Sequence, residues 1–242
     1  MLFTSSSAAK AAERYYLIVF GAQKTINIPK ESHTFGLFVK ETDQGSLETV
    51  CISWLAEDLN ATILRRQPLV GVNLDLDFTM QHYESRGCRI SMWGPFEMDR
   101  ELYQKAKVRR DILESGSVGY NPIDRRRRPL VADCIHGLSG VDVEPGLLRT
   151  RSAHGDIASY FVLEHLSRWL IHPETTYPRL ISRLGLDQYC IRSRDFCERP
   201  HSPLPILPPY YDPSLPAEGP RGVEAPTPAA GQSPPAAPPG PE

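Results

Sequence analysis

A cysteine at the start of a helix and a histidine at the start of a strand are two placements that turn ordinary residues into reagents. The stretch Asp133-Cys134-Ile135-His136-Gly137-Leu138-Ser139 supplies the first. A thiol attacks only as the thiolate, and the unpaired N–H groups and dipole of a helix N-terminus favour that charge. Asp133 has the right side chain for a helix cap, which makes Cys134 the first helical residue, with its own N–H and a neighbour's available to an oxyanion. The base must come from elsewhere, because His136 lies about 200° around the helix from Cys134. His82, His154, His165 and His172 compete for the role with His33, which opens the apolar run His33–Lys40 (HTFGLFVK). A strand holds an imidazole in place. If Val39 pairs with Leu47 across a hairpin, His33 lies opposite Ser53, on the same face, and Ser53 can fix the ring's tautomer; Cys51 shares that face as an alternative.

The elements around these residues are legible from pattern. Tyr15–Ala22 (YYLIVFGA) reads as a buried strand. His33–Lys40 and Leu47–Leu55 form an antiparallel hairpin around ETDQGS, whose polar and glycine residues suit a turn. Asp75 or Asp77 caps a short helix ending at Gly87, and Cys88–Trp93 is a strand closed by Gly94-Pro95. Asp99 caps a helix running to Ser115 with Gly116 as its stop, placing Leu102, Tyr103, Ala106 and Leu113 on one face. Ser117–Asn121 is a short strand leading to the cysteine segment. Asp156–Leu170 is the strongest helical pattern, and Tyr177–Leu184 is a further helical stretch.

The order of these features (histidine on a strand, polar residue on the next strand, cysteine at a helix start) resembles circularly permuted papain-like proteins, and most of all relatives of lecithin:retinol acyltransferase. In that group the histidine precedes the cysteine by about a hundred residues, and the cysteine lies in an Asn-Cys-Glu-His segment followed by an apolar helix. Here His33 and Cys134 are 101 apart and the segment reads Asp133-Cys134-Ile135-His136. The resemblance covers about His33 to Leu170. It implies an α+β fold, an antiparallel sheet packed with helices, and acyl transfer or hydrolysis of an amide or ester through a thioester on Cys134. His33 would be base and then acid, with Ser53 orienting it. No metal or organic cofactor is implied, and the substrate class is a peptide, lipid or other acyl compound. Two positions depart from the group. Asp133 replaces the usual Asn, and its charge opposes a thiolate unless the carboxylate is engaged as a cap; Ser53 stands where a histidine is common. These departures favour the alternative, a catalytically inactive binding or scaffold protein of the same fold.

Composition bounds the remaining classes. The chain has 242 residues, 27 Lys+Arg against 29 Asp+Glu, and no global basic field of the kind nucleic-acid binders carry. Its five cysteines contain no CxxC pair, which points to free thiols in a reducing compartment, and no apolar run approaches the roughly 20 residues of a membrane span; a cytoplasmic location is expected. Residues 1–14 read as a ragged leader, 15–199 as the papain-like domain, and 200–242 as a disordered tail holding 15 of the 23 prolines. The tail's PLPILPPYYDPSLP segment could engage a polyproline reader, although an unstructured terminus is the simpler expectation. Arg125–Arg128 is a solvated loop, or else an anion contact, with no aromatic residue interleaved to stack bases. Cys134, His136 and His154 lack the spacing of a zinc site. Asn73, Asp75, Asp77 and Glu84 imitate a calcium loop by coincidence, since Phe78 stands where that loop requires glycine.

Overall fold

The computed structural model describes residues 13–26, 28, 31–60, 67–122, 131–143, 148–149, 154–200 and 210–211. Arg125–Arg128, nearly all of the leader and most of the proline-rich tail lie outside the described residues.

The architecture is α+β, with mostly antiparallel sheets packed against helices. Five strands form the larger sheet: β1 (Arg14–Gln23), β2 (His33–Glu41), β3 (Leu47–Ile52), β6 (Arg89–Glu97) and β10 (Ile191–Arg194), in the spatial order β10-β6-β1-β2-β3. A second sheet of short strands has the order β4 (Trp54–Ala56), β5 (Leu69–Asn73), β7 (Gly119–Tyr120), β8 (Val131–Ala132), and β9 (Leu148–Arg149) pairs with β11 (Tyr210–Tyr211). Among the described residues only the β10–β6 and β7–β8 pairs are parallel. The continuous apolar run of β1 makes it central: every residue from Tyr15 to Gln23 is buried, because both faces of the sheet are covered.

The helices sit where their caps and apolar faces place them. Asp75 caps α1 (Leu76–Ser85), accepting from the Phe78 N–H, and Gly87 beyond its end takes a positive φ. Asp99 caps α2 (Arg100–Glu114), whose Leu102, Tyr103, Ala106 and Leu113 are buried as their spacing requires. Asp133 caps α3 (Cys134–Ser139), and α4 (Gly155–Leu166) and α5 (Arg179–Arg183) follow. The long helix expected to reach Leu170 stops at Leu166 and tightens into a 3₁₀ turn at Ser167–Trp169. There the Arg168 and Trp169 side chains both bind the buried Asp142 carboxylate, and the Asp99 and Ile171 N–H groups pair the chain with the end of β6.

Two strand readings need correction, each for a local reason. Cys88–Trp93 does not end at Gly94-Pro95. The strand β6 runs on to Glu97, and two residues, Gly94 and Pro95, bulge opposite Ile18 of β1. Gly94 takes a φ of 97°, and a Cβ there would lie 2.6 Å from the Leu17 carbonyl oxygen, so the bulge requires glycine. Leu47–Leu55 is not one strand. It breaks at Ser53, and Trp54–Ala56 pairs into the second sheet.

Candidate active site

The break at Ser53 builds the site. The Ser53 N–H donates to Asn73 Oδ1 at 2.8 Å, and the Leu74 N–H donates to the Ser53 carbonyl at 2.9 Å. Asn73 also donates from Nδ2 to the Cys51 carbonyl at 3.0 Å. The backbone of Ser53 is therefore claimed by the β5–α1 connection instead of by β2. The β2–β3 pairing ends at Gly36↔Ile52, so among the described residues His33, Thr34 and Phe35 pair with β1 alone. The hairpin register is Val39↔Thr49, two residues away from the expected Val39–Leu47 pairing. His33 and Ser53 nevertheless meet: His33 Nε2 lies 2.9 Å from Ser53 Oγ. The turn out of β3, not the ladder, brings the serine to the histidine.

His33 is enclosed. It is 1 % exposed, and its ring stacks between Phe35 at 5.3 Å and Tyr83 at 5.2 Å. Burial, with a smaller contribution from the nearby His82, pushes its pKa down to about 3, so the ring is neutral. Nε2 is occupied by Ser53, whereas the buried Nδ1 has no hydrogen-bond partner among the described residues.

Cys134 is the first residue of α3, as the capping argument requires. Asp133 Oδ1 accepts the His136 N–H at 2.8 Å and lies 2.8 Å from His136 Nδ1, so the carboxylate is engaged as a cap and His136 is turned to it. The backbone N–H groups of Thr34, Ile135 and Cys134 itself face the Cys134 sulfur. Thr34 follows His33, and Nδ1 is the ring nitrogen nearer the backbone. The Thr34 N–H therefore favours the thiolate of Cys134, while the buried His33 Nδ1 has no hydrogen-bond partner among the described residues. Burial, then the charge of Asp133, pushes the thiol up to about 12 against the opposing pull of the three N–H groups. Tyr83 and Tyr120 feel the same sulfur, which adds to the burial that raises both phenols well above the usual tyrosine range.

Glycine lets α3 approach. A Cβ on Gly36 would lie 2.7 Å from Leu138 Cδ1, and one on Gly137 would lie 2.7 Å from Trp54 Cβ. Trp54 Nε1 donates to the Ala132 carbonyl at 3.2 Å, anchoring the chain just ahead of Asp133. At the other end, Arg109 of α2 donates to the Gly137 carbonyl at 3.2 Å and, as a second donor beside the Gly140 N–H, to the His136 carbonyl at 3.0 Å.

The rival residues are occupied elsewhere. Cys51 pairs with Leu37, and burial with Asp75, Asp77 and Glu114 pushes its thiol up to about 12; the ring of His33 bonds Ser53 and not Cys51. His82 packs edge-on against Tyr83, His165 lies 2.7 Å from the Asp142 carbonyl, and His172 sits 3.6 Å from Glu174. His154 is the N-cap residue of α4 without a side-chain cap bond. The acidic residues of the apparent calcium loop hold elements together: Asp75 caps α1, Asp77 accepts from the Tyr189 hydroxyl, and Glu84 accepts from the Cys190 N–H. Among the described residues no group of three His, Cys, Asp or Glu is placed to hold a metal ion, and no helix is long and apolar enough to cross a membrane.

Three residues of the site escaped the sequence reading: Asn73, which clamps the break; Tyr83, which stacks on His33; and Thr79, whose Oγ1 lies 2.9 Å from Ser53 Oγ. Thr79 and Tyr83 are one helical turn apart on the face of α1 that is buried with Met80, a relation that helix spacing could have exposed once Asp75 was recognised as the cap. No family model, no curated protein and no solved structure matches this chain.

Proposed function

We propose that the chain is a cysteine-dependent hydrolase or acyltransferase of permuted papain-like type, acting on an amide or ester through a thioester on Cys134, with His33 as proton carrier and Ser53 as its orienting partner. One observation carries the reading: His33 is tied to Ser53 through Nε2, its buried Nδ1 has no hydrogen-bond partner among the described residues, and the N–H of the next residue, Thr34, favours the Cys134 thiolate. In the reaction Nδ1 takes the thiol proton as sulfur bonds to the acyl carbon, and the carbonyl π pair moves onto oxygen. The N–H groups now facing the sulfur are positioned to receive that charge. Collapse of the tetrahedral adduct re-forms the carbonyl and expels an amine or alcohol, which leaves with the proton from His33. Water or a second acceptor then repeats the sequence to release the acyl group. A peptide, a lipid ester and another amide all satisfy this chemistry, and it calls for no metal or organic cofactor.

The resting pair is neutral on both sides. Moving a proton from a thiol at about 12 to an imidazole at about 3 costs roughly 12 kcal/mol. The attraction of the resulting charges returns about 4 kcal/mol at 4 Å near a protein surface. Burial thus disfavours a preformed thiolate–imidazolium pair, and the proton is transferred as the sulfur attacks. The same energetics favour the second reading, a catalytically inactive binding protein on this fold.

Incubation with p-nitrophenyl acyl esters of increasing chain length, followed by peptide mass spectrometry, separates the two. The enzymatic reading expects a hydroxylamine-labile acyl group on Cys134 that is lost in Cys134→Ser and falls at least tenfold in His33→Asn. Acylation confined to the exposed Cys190 and Cys197, and indifferent to His33, would leave the binding-protein reading in possession.

A further inference from the structure

We propose that Phe35 and Tyr83 are positioning residues that hold His33 in a two-sided aromatic clamp, fixing the plane of its ring and stabilising the imidazolium that forms when it takes a proton. Phe35 stands two residues along β2 from His33, so the two side chains share a face of the sheet, and Tyr83 reaches the ring from the buried face of α1. The ring centroids are 5.3 Å apart for His33 and Phe35 and 5.2 Å apart for His33 and Tyr83, at interplanar angles of 14° and 15°. The imidazole therefore lies nearly parallel to a π face on either side. Phe20 extends the column beyond Phe35 at 4.9 Å, and His82 closes it edge-on against Tyr83 at 5.0 Å. Phe20, Phe35 and Tyr83 are all buried, so the core itself holds the stack in place.

The clamp answers a shortage of compensating charge. Burial keeps the ring neutral at rest, and among the described residues His82 is the one charged group acting on it, against the proton. Cys134 on α3 is a neutral thiol, Tyr83 keeps its phenol proton, and Glu31 and Arg86 bond each other and act on His82 instead. Ser53 offers Nε2 a hydroxyl dipole but no charge. What meets a positive ring is the negative face of each aromatic neighbour, and both centroids lie inside the roughly 6 Å over which such a face attracts a cation. Desolvation strengthens this attraction. It grows only as the charge grows, so it favours the protonated ring over the neutral one, whichever nitrogen holds the proton. Flat contact on both sides also resists turning of the ring out of the plane that gives Nε2 to Ser53. The weight of the clamp in turnover rests on the acyl-transfer reading; the proton affinity of His33 does not.

The test is an NMR titration of the histidine ring signals in the full chain from pH 7.5 downwards. His33 is assigned by the signals lost in His33→Asn, and folding is followed by the dispersed methyl signals. Tyr83→Leu and Phe35→Leu each replace a π face by an aliphatic side chain, whereas Tyr83→Phe keeps the face without the hydroxyl. Wild type is expected to protonate His33 while folded, near pH 3. At a common pH at which both are folded, each leucine variant should bind that proton about three- to tenfold less tightly, and Tyr83→Phe should match wild type within about twofold. Tyr83→Met repeats the comparison should the leucine variant fail to fold. A role in packing alone moves the affinity the other way, because a loosened site admits water and carries the ring back towards about 6.5. Equal or tighter proton binding in the leucine variants, or a wild-type ring still neutral when the chain unfolds, overturns the proposal. No acylation is measured, so a chain that forms no thioester still decides it.

Discussion

Three N–H groups face the Cys134 sulfur, a surrounding that draws a thiol towards ionisation, yet burial and the Asp133 carboxylate together outweigh them. The cap that makes Cys134 the first helical residue is also the charge that opposes its thiolate. Two expectations follow at this scale. Iodoacetamide at pH 8 should modify the exposed Cys190 and Cys197 well before Cys134, whose alkylation should rise only at strongly alkaline pH, as followed by site-resolved mass spectrometry. Asp133→Asn keeps a capping oxygen, since the two residues cap comparably, and removes the like charge. The sign is downward: the thiol pKa falls, and labelling of Cys134 at pH 8 to 9 should speed by several-fold. An unchanged rate would mean that the aspartate charge is not felt at the sulfur. The residue types themselves could be read in advance, because the helix-start pattern DCIHGLS needs only local rules, and Cys134 stands first in its helix.

Elements carry the part that local rules miss. The strand pattern from Leu47 to Leu55 is continuous in hydrophobicity, and nothing within it announces that Ser53 leaves the sheet. The cause is Asn73, twenty residues on, whose side chain binds the Ser53 N–H and the Cys51 carbonyl in place of a ladder partner. A non-local clamp of this kind is invisible to periodicity, which is why the register was displaced by two while the His33–Ser53 contact survived. Asn73→Leu should therefore do more than remove the three side-chain hydrogen bonds, to the Ser53 N–H, the Cys51 carbonyl and Glu114. It is expected to cost about 2–3 kcal/mol, measured by urea unfolding, and to perturb the His33 ring signals even though Asn73 makes no hydrogen bond to that ring. Full retention of those signals would show that Ser53 is held by something else. Gly36 is the corresponding device beneath α3. An added methyl meets Leu138 Cδ1 at 2.7 Å, so Gly36→Ala must push the cysteine helix away from β2, at about 1–3 kcal/mol in the same assay.

Across the whole molecule, the elements with strong private signals were legible: the central strand β1, the hairpin turn, and the caps at Asp75, Asp99 and Asp133. The parallel β10–β6 pair and, apart from the short strand expected at Ser117–Asn121, the second sheet were not, because β5 is half-exposed and its Gly71 is dictated by the Trp54 ring lying where a side chain would be. The mode of burial also fixes how the fold responds to acid. His33, His165 and His82 are all lowered from their ordinary values, in each case chiefly by burial. For such groups the unfolded chain binds protons that the native state refuses, so their contribution is complete above about pH 6.5 and is lost as pH falls. His33 reaches furthest, since its native value is about 3; between about 6.5 and 3 it alone withdraws roughly 5 kcal/mol, at about 1.4 kcal/mol per pH unit. Glu41, held down to about 2 by Arg179 and Arg183, adds its own loss only below the ordinary carboxylate range, so the interval from pH 6.5 to 5 belongs mainly to histidine. His33→Asn, which cannot titrate, should accordingly be less stable than wild type at pH 7.5 but show a shallower decline between pH 6.5 and 5, by close to one proton in the slope of unfolding free energy. Parallel slopes for the two proteins would mean that the imidazole takes up its proton in the native state, and the buried, neutral His33 described above would not be the one present in solution.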